Sequence, residues 1–283
     1  MRFFHSLWTK PIINKQFGRA EQAALNINLL YSLISALHIK RLGHEIVLHT
    51  DKLGEELLSE IVPYDDIYRT LDKHTAHHRF WASGKIKALQ TEPLGSIHID
   101  TDVFVSTNKL MDMLKDDKTD LLIEAVEDDD PMHFYTMFYK TVISKVNSFP
   151  YIRMDSFCAN MGMRCGLHKF NNKRLKDEYT SGYWRIHDDY VSANCERLQG
   201  DTNYTPDLIL EQSYLYNLVE QKKYSYKAIA PYAEHKPTEG FHHFLGKSKF
   251  ELKNHFEEKL QKESPKIYNK YITKVKEVNK QYE

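Results

Sequence analysis

Two aspartates two residues apart stand in an apolar run, Ser96-Ile97-His98-Ile99-Asp100-Thr101-Asp102-Val103-Phe104-Val105. In an extended chain Asp100 and Asp102 leave the same face, roughly 7 Å apart. A strand this apolar belongs inside a sheet, where a carboxylate needs strong donors or a cation, and a divalent ion bridging a diphosphate is one such partner. Solvation where the strand leaves the sheet is the other reading, and an Asp-x-Asp pair alone does not separate the two. A second segment, Phe241-His242-His243-Phe244-Leu245-Gly246-Lys247-Ser248-Lys249, offers an imidazole, a glycine three residues on and an ammonium six residues on. Such a loop can give a metal one nitrogen ligand, bring backbone amides close to phosphate at Gly246 and set a charge on the same anion.

The elements that must position these groups follow an α/β pattern with a mostly parallel sheet. Strands are expected at Phe3–Trp8, Glu45–Thr50, Ile67–Leu71 and, as one run, Ile97–Val105; helices at Glu21–Lys40, at a short segment ending at Ile61, and at Arg79–Gln90. Apolar residues at Leu25, Leu29, Leu30, Leu33 and Leu37 bury a broad face of the first long helix. Further on, Asp120–Ala125 and Ser156–Met163 read as strands, and His133–Val146 and Leu208–Gln221 as helices. The polar, Tyr-rich stretch Lys169–Thr205 reads as an acceptor-facing insertion. Beyond Lys249 the Lys-, Glu- and Asn-rich sequence suggests a peripheral helical tail interrupted at Pro265, so the chain divides into residues 1–249 and an extension, 250–283.

Together the two segments resemble the glycogenin-like family 8 glycosyltransferases, in which an Asp-x-Asp strand end joins a distant His-Phe-x-Gly-x-x-Lys loop. The resemblance implies a GT-A fold, a nucleotide-sugar transferase with a Rossmann-like mixed sheet. It implies Asp100, Asp102 and His243 as ligands of manganese or magnesium, and Gly246 and Lys249 on the donor diphosphate. It also implies a retaining hexosyl transfer from a nucleoside diphosphate sugar, a UDP-sugar for preference, to a saccharide or other hydroxyl acceptor, with surface polysaccharide synthesis as a setting. The family follows its lysine with Pro-Trp, whereas Phe250-Glu251 stand here. Cys158-Ala159-Asn160-Met161-Gly162 is similar to the family's Asn-x-Gly at the acceptor site, which makes Asn160 and Gly162 acceptor candidates. Glu211-Gln212 resembles its Asp-Gln pair beside the reaction centre. Lys85, preferred over Lys87, matches a basic residue facing the donor, and His5 and Trp8 fall where the nucleotide base would lie. Each also has a plain structural reading: a core Trp8, a solvated Lys85, an ordinary helix Glu211 and Gln212.

Composition narrows the alternatives. Lys plus Arg and Asp plus Glu each total 39 in 283 residues, so there is none of the basic surplus that nucleic-acid binding calls for. No run reaches the roughly 18 apolar residues of a membrane span, and Met1–Asn14 lacks the pattern of a signal peptide, which leads to the expectation of a cytoplasmic protein. Cys158, Cys165 and Cys195 are too scattered for a disulfide framework and read as thiols. His74, His77 and His78 read as solvated, and the acidic run Glu127–Asp130 as a helix start or turn. A nucleotidyltransferase or phosphohydrolase using the same carboxylates, and an inactive nucleotide-sugar-binding module, stay open as readings. An inverting transferase would need a carboxylate base, for which Glu211 and Glu124 are the candidates.

Overall fold

Strands and helices alternate in the order β1 (Arg2–Leu7), α1 (Lys10–Ile13), α2 (Glu21–Arg41), β2 (Glu45–Thr50), α3 (Lys52–Leu58), β3 (Asp66–Tyr68), α4 (Ser83–Thr91), β4 (Ile97–Ile99), β5 (Val103–Val105) and α5 (Asn108–Leu114). Then come β6 (Leu121–Asp128), β7 (Met161–Phe170), α6 (Lys173–Asn194), a π-helical turn at Leu208–Ser213 leading into α7 (Tyr214–Lys222), and β8 (Tyr226–Ala228). The chain closes with β9 (Phe241–His243), α8 (Ser248–Glu251), α9 (Lys253–Glu263) and α10 (Pro265–Gln281). This is a computed structural model, and it describes residues 1–13, 21–128, 139–140, 142, 146, 148–194, 206–230, 238–246 and 248–281.

Seven strands form one mixed sheet in the order β3-β2-β1-β4-β7-β6-β8. β1 pairs in parallel with β2 and β4, and β2 with β3, while β7 lies antiparallel between β4 and β6. β2 and β4 flank β1 on opposite sides, so the winding direction reverses there and a crevice opens at the carboxyl ends of β1 and β4. β5 leaves this sheet and pairs antiparallel with β9 as a separate ribbon.

Period-two alternation along the strands feeds two cores. Phe3, Leu7, Ile46, Leu48, Ile97 and Ile99 pack with α2 and α5, whereas Phe4 and Val47 pack with α4, α6 and α7. On α2, Leu25, Leu29, Leu30, Leu33, Ala36 and Ile39 are all buried. A helix apolar over so much of its circumference needs cover on its outer side as well. The C-terminal helices supply it: Phe256 and Leu260 of α9 and Tyr271 and Val278 of α10 join the same core, and Asn26 donates to Asn279 at 2.8 Å. The tail expected to be peripheral is therefore built into the core. Pro265 marks the break between α9 and α10, where its missing N–H falls in an unpaired first turn.

Several expected elements are corrected. The stretch read as an insertion holds the 22-residue helix α6, whose Leu175, Tyr179, Tyr183, Ile186 and Tyr190 recur every three or four residues and are buried. Ser156–Met163 is not one strand, since a short 3-10 turn at Met154–Ser156 precedes β7, which begins at Met161. Glu127 and Asp128 end strand β6, whereas Asp129 and Asp130 lie outside the described residues, as does most of His133–Val146. His74 is not solvated: its ring packs edge-on against Trp8 at 4.4 Å and its Nε2 meets Ser83 at 2.8 Å.

Candidate metal and donor site

The run Ile97–Val105 is broken where its chemistry lies. β4 stops at Ile99, the Asp100 amide donates to the Gly166 carbonyl at 2.7 Å, and the Val103 amide returns to the Asp100 carbonyl at 3.0 Å. The expected extended geometry thus gives way to a turn. One aspartate stays with the sheet and the other starts the ribbon. Because Val103 stands opposite His243 in that ribbon, Asp102 and His243 meet at its end. One possible ligand atom from each of Asp100, Asp102 and His243 lies within 4.8 Å of the others, the only such group among the described residues.

Burial and charge explain how these groups coexist. Asp100 is pushed up to about 6, chiefly by burial and against the pull of Lys85. Asp102 is lowered, because Lys249 and His243 together outweigh its burial. The Lys249 ammonium contacts Asp102 directly, and the His243 Nε2 lies 3.7 Å from the other Asp102 oxygen. Lys85 is buried and raised, its burial outweighed by Asp100 at 3.0 Å and Glu211 at 2.7 Å. A third contact, to the Cys165 carbonyl at 3.1 Å, fixes its amine. Lys87, two residues further along α4, is exposed, so burial separates the two lysines.

Glu124 is a fully buried carboxylate whose two oxygens sit 2.9 and 3.0 Å from His243 Nδ1. His243 is raised: burial lowers it, but the Glu124 hydrogen bond and the two aspartate charges prevail. With Nδ1 engaged, Nε2 is the nitrogen left for a metal. Gly166 makes room for this pair, since a Cβ there would fall 2.4 Å from Glu124 Oε2 and 2.5 Å from His243 Cε1. Arg164 on the same strand lies 3.7 Å from Glu124 and contacts Glu127. Sequence reasoning gave Glu124 another role and passed over Gly166 and Arg164. A lone carboxylate inside Leu121–Ala125 was the available signal.

A cleft of about 440 Å³ opens beside the cluster, lined by Trp8, Trp81, Asp100, Asp102, Gly246 and Lys249 among others. Gly246 takes a left-handed φ of +56°, a conformation that favours glycine. His5 does not reach this cleft. Its ring is buried, pushed down to about 3 mainly by that burial, with Nδ1 at 2.7 Å from Tyr64 and Nε2 at 3.1 Å from Ser35. Glu211 also lies off the cleft wall, fully buried on Lys85, and Gln212 beside it is half-buried. Asn160 is exposed and donates to Asp128 at 2.9 Å, and Gly162 pairs with Glu127. Four residues of strand, about 13 Å, separate Gly162 from Gly166, so the structure does not bring the acceptor candidates to the cluster.

Two carboxylates and one imidazole nitrogen form a hard-donor set with a borderline member, which suits manganese and, with less preference, magnesium. The buried, glycine-cleared pocket for the imidazole and the oriented Nε2 fit such an ion. Fold and site thus define an α/β protein with a seven-stranded mixed sheet, a helical C-terminal region and a carboxylate–imidazole cluster at the crevice. The chain belongs to the family of unknown function DUF6734, whose model matches residues 1–275. No curated protein matches it in sequence.

Solved structures similar to it at low identity include three glycosyltransferases. Mouse xyloside xylosyltransferase 1, in its apo form, is 12% identical with 80% of this chain and 84% of that chain covered, at a TM-score of 0.37. The apo-form glycosyltransferase GlyE of Streptococcus pneumoniae TIGR4 is 11% identical with 80% and 44% covered, at 0.33, so this chain spans less than half of GlyE. The galactosyltransferase LgtC, in complex with donor and acceptor sugar analogs, is 12% identical with 80% and 73% covered, at 0.33. Among the described residues no helix is long and apolar enough to cross a membrane.

Proposed function

We propose that this chain is a metal-dependent glycosyltransferase of the GT-A type, moving a sugar from a nucleoside diphosphate, preferably UDP, to a hydroxyl acceptor in the cytoplasm. The observation that carries this reading is the convergence of Asp100 and Asp102 with His243, far apart in sequence, at the mouth of a tryptophan-lined cleft that also holds Lys249. A divalent ion held there would supply positive charge to the departing diphosphate. Lys249, whose side chain is 28% exposed, is near enough to turn from Asp102 to a phosphate, and the Gly246 backbone can approach the same anion. Lys85, 3.0 Å from Asp100, offsets part of the effect of burial, which pushes that carboxyl up. Trp8 and Trp81 offer apolar surface to the nucleoside or sugar.

Both carboxylates that could serve as an inverting base are fully buried and engaged, Glu124 by His243 and Glu211 by Lys85. That favours a retaining hexosyl transfer, which needs no strong enzymic base. The test is to incubate the full chain with nucleoside diphosphate sugars and manganese and to identify the products by mass spectrometry. Intact nucleoside diphosphate, formed only with metal and abolished by chelator, is the expected result. Release of monophosphate or pyrophosphate, or turnover indifferent to chelator, would refute the proposal.

A further inference from the structure

The ribbon that carries His243 has a second face. Alternation along β9 turns His243 to Asp102 and His242 the opposite way, into a cavity of about 530 Å³ closed by the C-terminal half of α2 and by α9. Its lining shares no residue with the donor cleft. The floor is aromatic: Phe104, Phe244 and Phe256 meet at centroid separations of 4.9, 5.4 and 5.2 Å. Around that floor stand five nitrogen-bearing side chains, His38, Arg41, His242, His255 and Lys259.

Among the described residues these groups are poorly matched by acceptors. The two permanent cations share Glu263, which lies 3.1 Å from Arg41 and 3.9 Å from Lys259, and about half of each cationic side chain is open to solvent. His38 packs edge-on to Phe104 at 5.4 Å, and among the described residues its buried Nδ1 has no hydrogen-bond partner. Burial first, then Lys259 and Arg41 against an opposing Glu263, push that imidazole down to about 4. A metal is not the natural occupant, since the three imidazoles do not form one of the close ligand groups found among the described residues. Surplus donors and cations above an aromatic floor call for an anion with a flat apolar body.

We infer that this cavity binds a small phosphomonoester whose ring system lies on Phe104 and Phe244 and whose phosphate meets Arg41, His242 and Lys259. The guanidinium supplies a planar pair of donors and the ammonium a point charge, a combination suited to a dianion. His242, at an exposed position of the same lining, already stacks on Phe244, at 6.0 Å and 22°. This site is independent of the glycosyl-transfer reading and stands or falls separately.

The test is calorimetric titration of 1-naphthyl phosphate into the full chain with excess chelator, which removes metal-bridged binding at the donor cleft. One saturable site is expected, with 1-naphthol and inorganic phosphate each at least tenfold weaker. The double variant Arg41→Gln, Lys259→Gln should weaken binding at least tenfold, and Lys249→Ala should leave it unchanged. His242→Ala, at an exposed position, gives the same readout if the double variant fails to fold. Absence of saturation, equal affinity for inorganic phosphate, or a loss confined to Lys249→Ala would overturn the assignment.

Discussion

Glu124 tests whether the cluster is built for a metal, because it is not itself an expected ligand but hydrogen-bonds one of them, His243. Both of its oxygens hold His243 Nδ1, at 2.9 and 3.0 Å, in a pocket where Glu124 is fully buried and the His243 side chain is 5% exposed. The carboxylate therefore fixes the tautomer, aims Nε2 at Asp102 and makes the imidazole a better donor. Glu124→Gln keeps an acceptor for Nδ1–H and nearly the same volume but removes the charge. Partners of metal-bound histidines typically contribute ten- to hundredfold in metal affinity, about 1.4–2.8 kcal/mol. Glu124→Gln should fall at the lower end, and Glu124→Ala, which frees the ring and removes the carboxylate 3.7 Å from Arg164, at the upper end. Manganese titration followed by paramagnetic resonance measures this directly, with thermal unfolding as the control for fold. Wild-type manganese affinity in Glu124→Gln, alongside loss of binding in His243→Ala, would refute the argument that Glu124 positions the ligand.

Other outcomes follow from the same geometry. Asp102→Asn and His243→Ala should each abolish metal-dependent binding of a nucleoside diphosphate, and the double variant should be little worse than either, because both act through one ion; additive losses by calorimetry would count against a shared ion. Lys249→Ala should lower donor turnover at least hundredfold while moving the melting temperature by no more than a few degrees, since the ammonium is partly exposed. Asp207, buried between Tyr183 at 2.6 Å and Ala82 at 2.8 Å, is pushed up to about 8 by that burial. It therefore holds its proton in the folded state where the unfolded chain, with a pKa near ~4, has released it. Its contribution is full below ~4 and is lost as pH rises through about 8, so Asp207→Asn should flatten the decline in melting temperature between these limits.

Much of the architecture was legible because it rests on local periodicity. Glu45–Thr50 and α2 fall within a residue of their expected bounds, since an apolar run of either period declares itself. The misreadings have physical causes. α6 was missed because its buried face is mostly tyrosine, which reads as polar, although the spacing of Leu175, Tyr179, Tyr183, Ile186 and Tyr190 is helical. The break at Asp100 was missed because Ile97–Ile99 and Val103–Val105 are both strand-like and buried, and what separates them is the pairing partner: the main sheet for one, β9 for the other. Asp100, Asp102 and His243 could be selected in sequence because the carboxylate pair and the His-Gly-Lys spacing suggest one chemistry. Glu124 and Gly166 carry no such pattern, since their meaning exists only once β6, β7 and β9 are side by side.

That dependence has a consequence for how the site is held. Asp100 belongs to the main sheet through its amide on Gly166, whereas Asp102 and His243 belong to the ribbon. The ribbon packs on α2 through Phe104, which contacts Tyr31 at 5.5 Å and Phe256 of α9 at 5.4 Å. The Tyr31 hydroxyl in turn donates to the Lys249 carbonyl at 3.1 Å, tying α2 to the segment that bears the lysine. The C-terminal helices thus cover α2 and press the ribbon into place, so residues with no catalytic chemistry help set the distance between the two aspartates. Phe256, 8% exposed at this junction, carries the connection. Truncating a buried phenylalanine to alanine removes about 3–5 kcal/mol of packing, and here the loss would fall on the contact between α9 and β5. Phe256→Ala should accordingly weaken manganese binding as well as stability, whereas Tyr271→Ala, buried farther along α10, should lower stability alone.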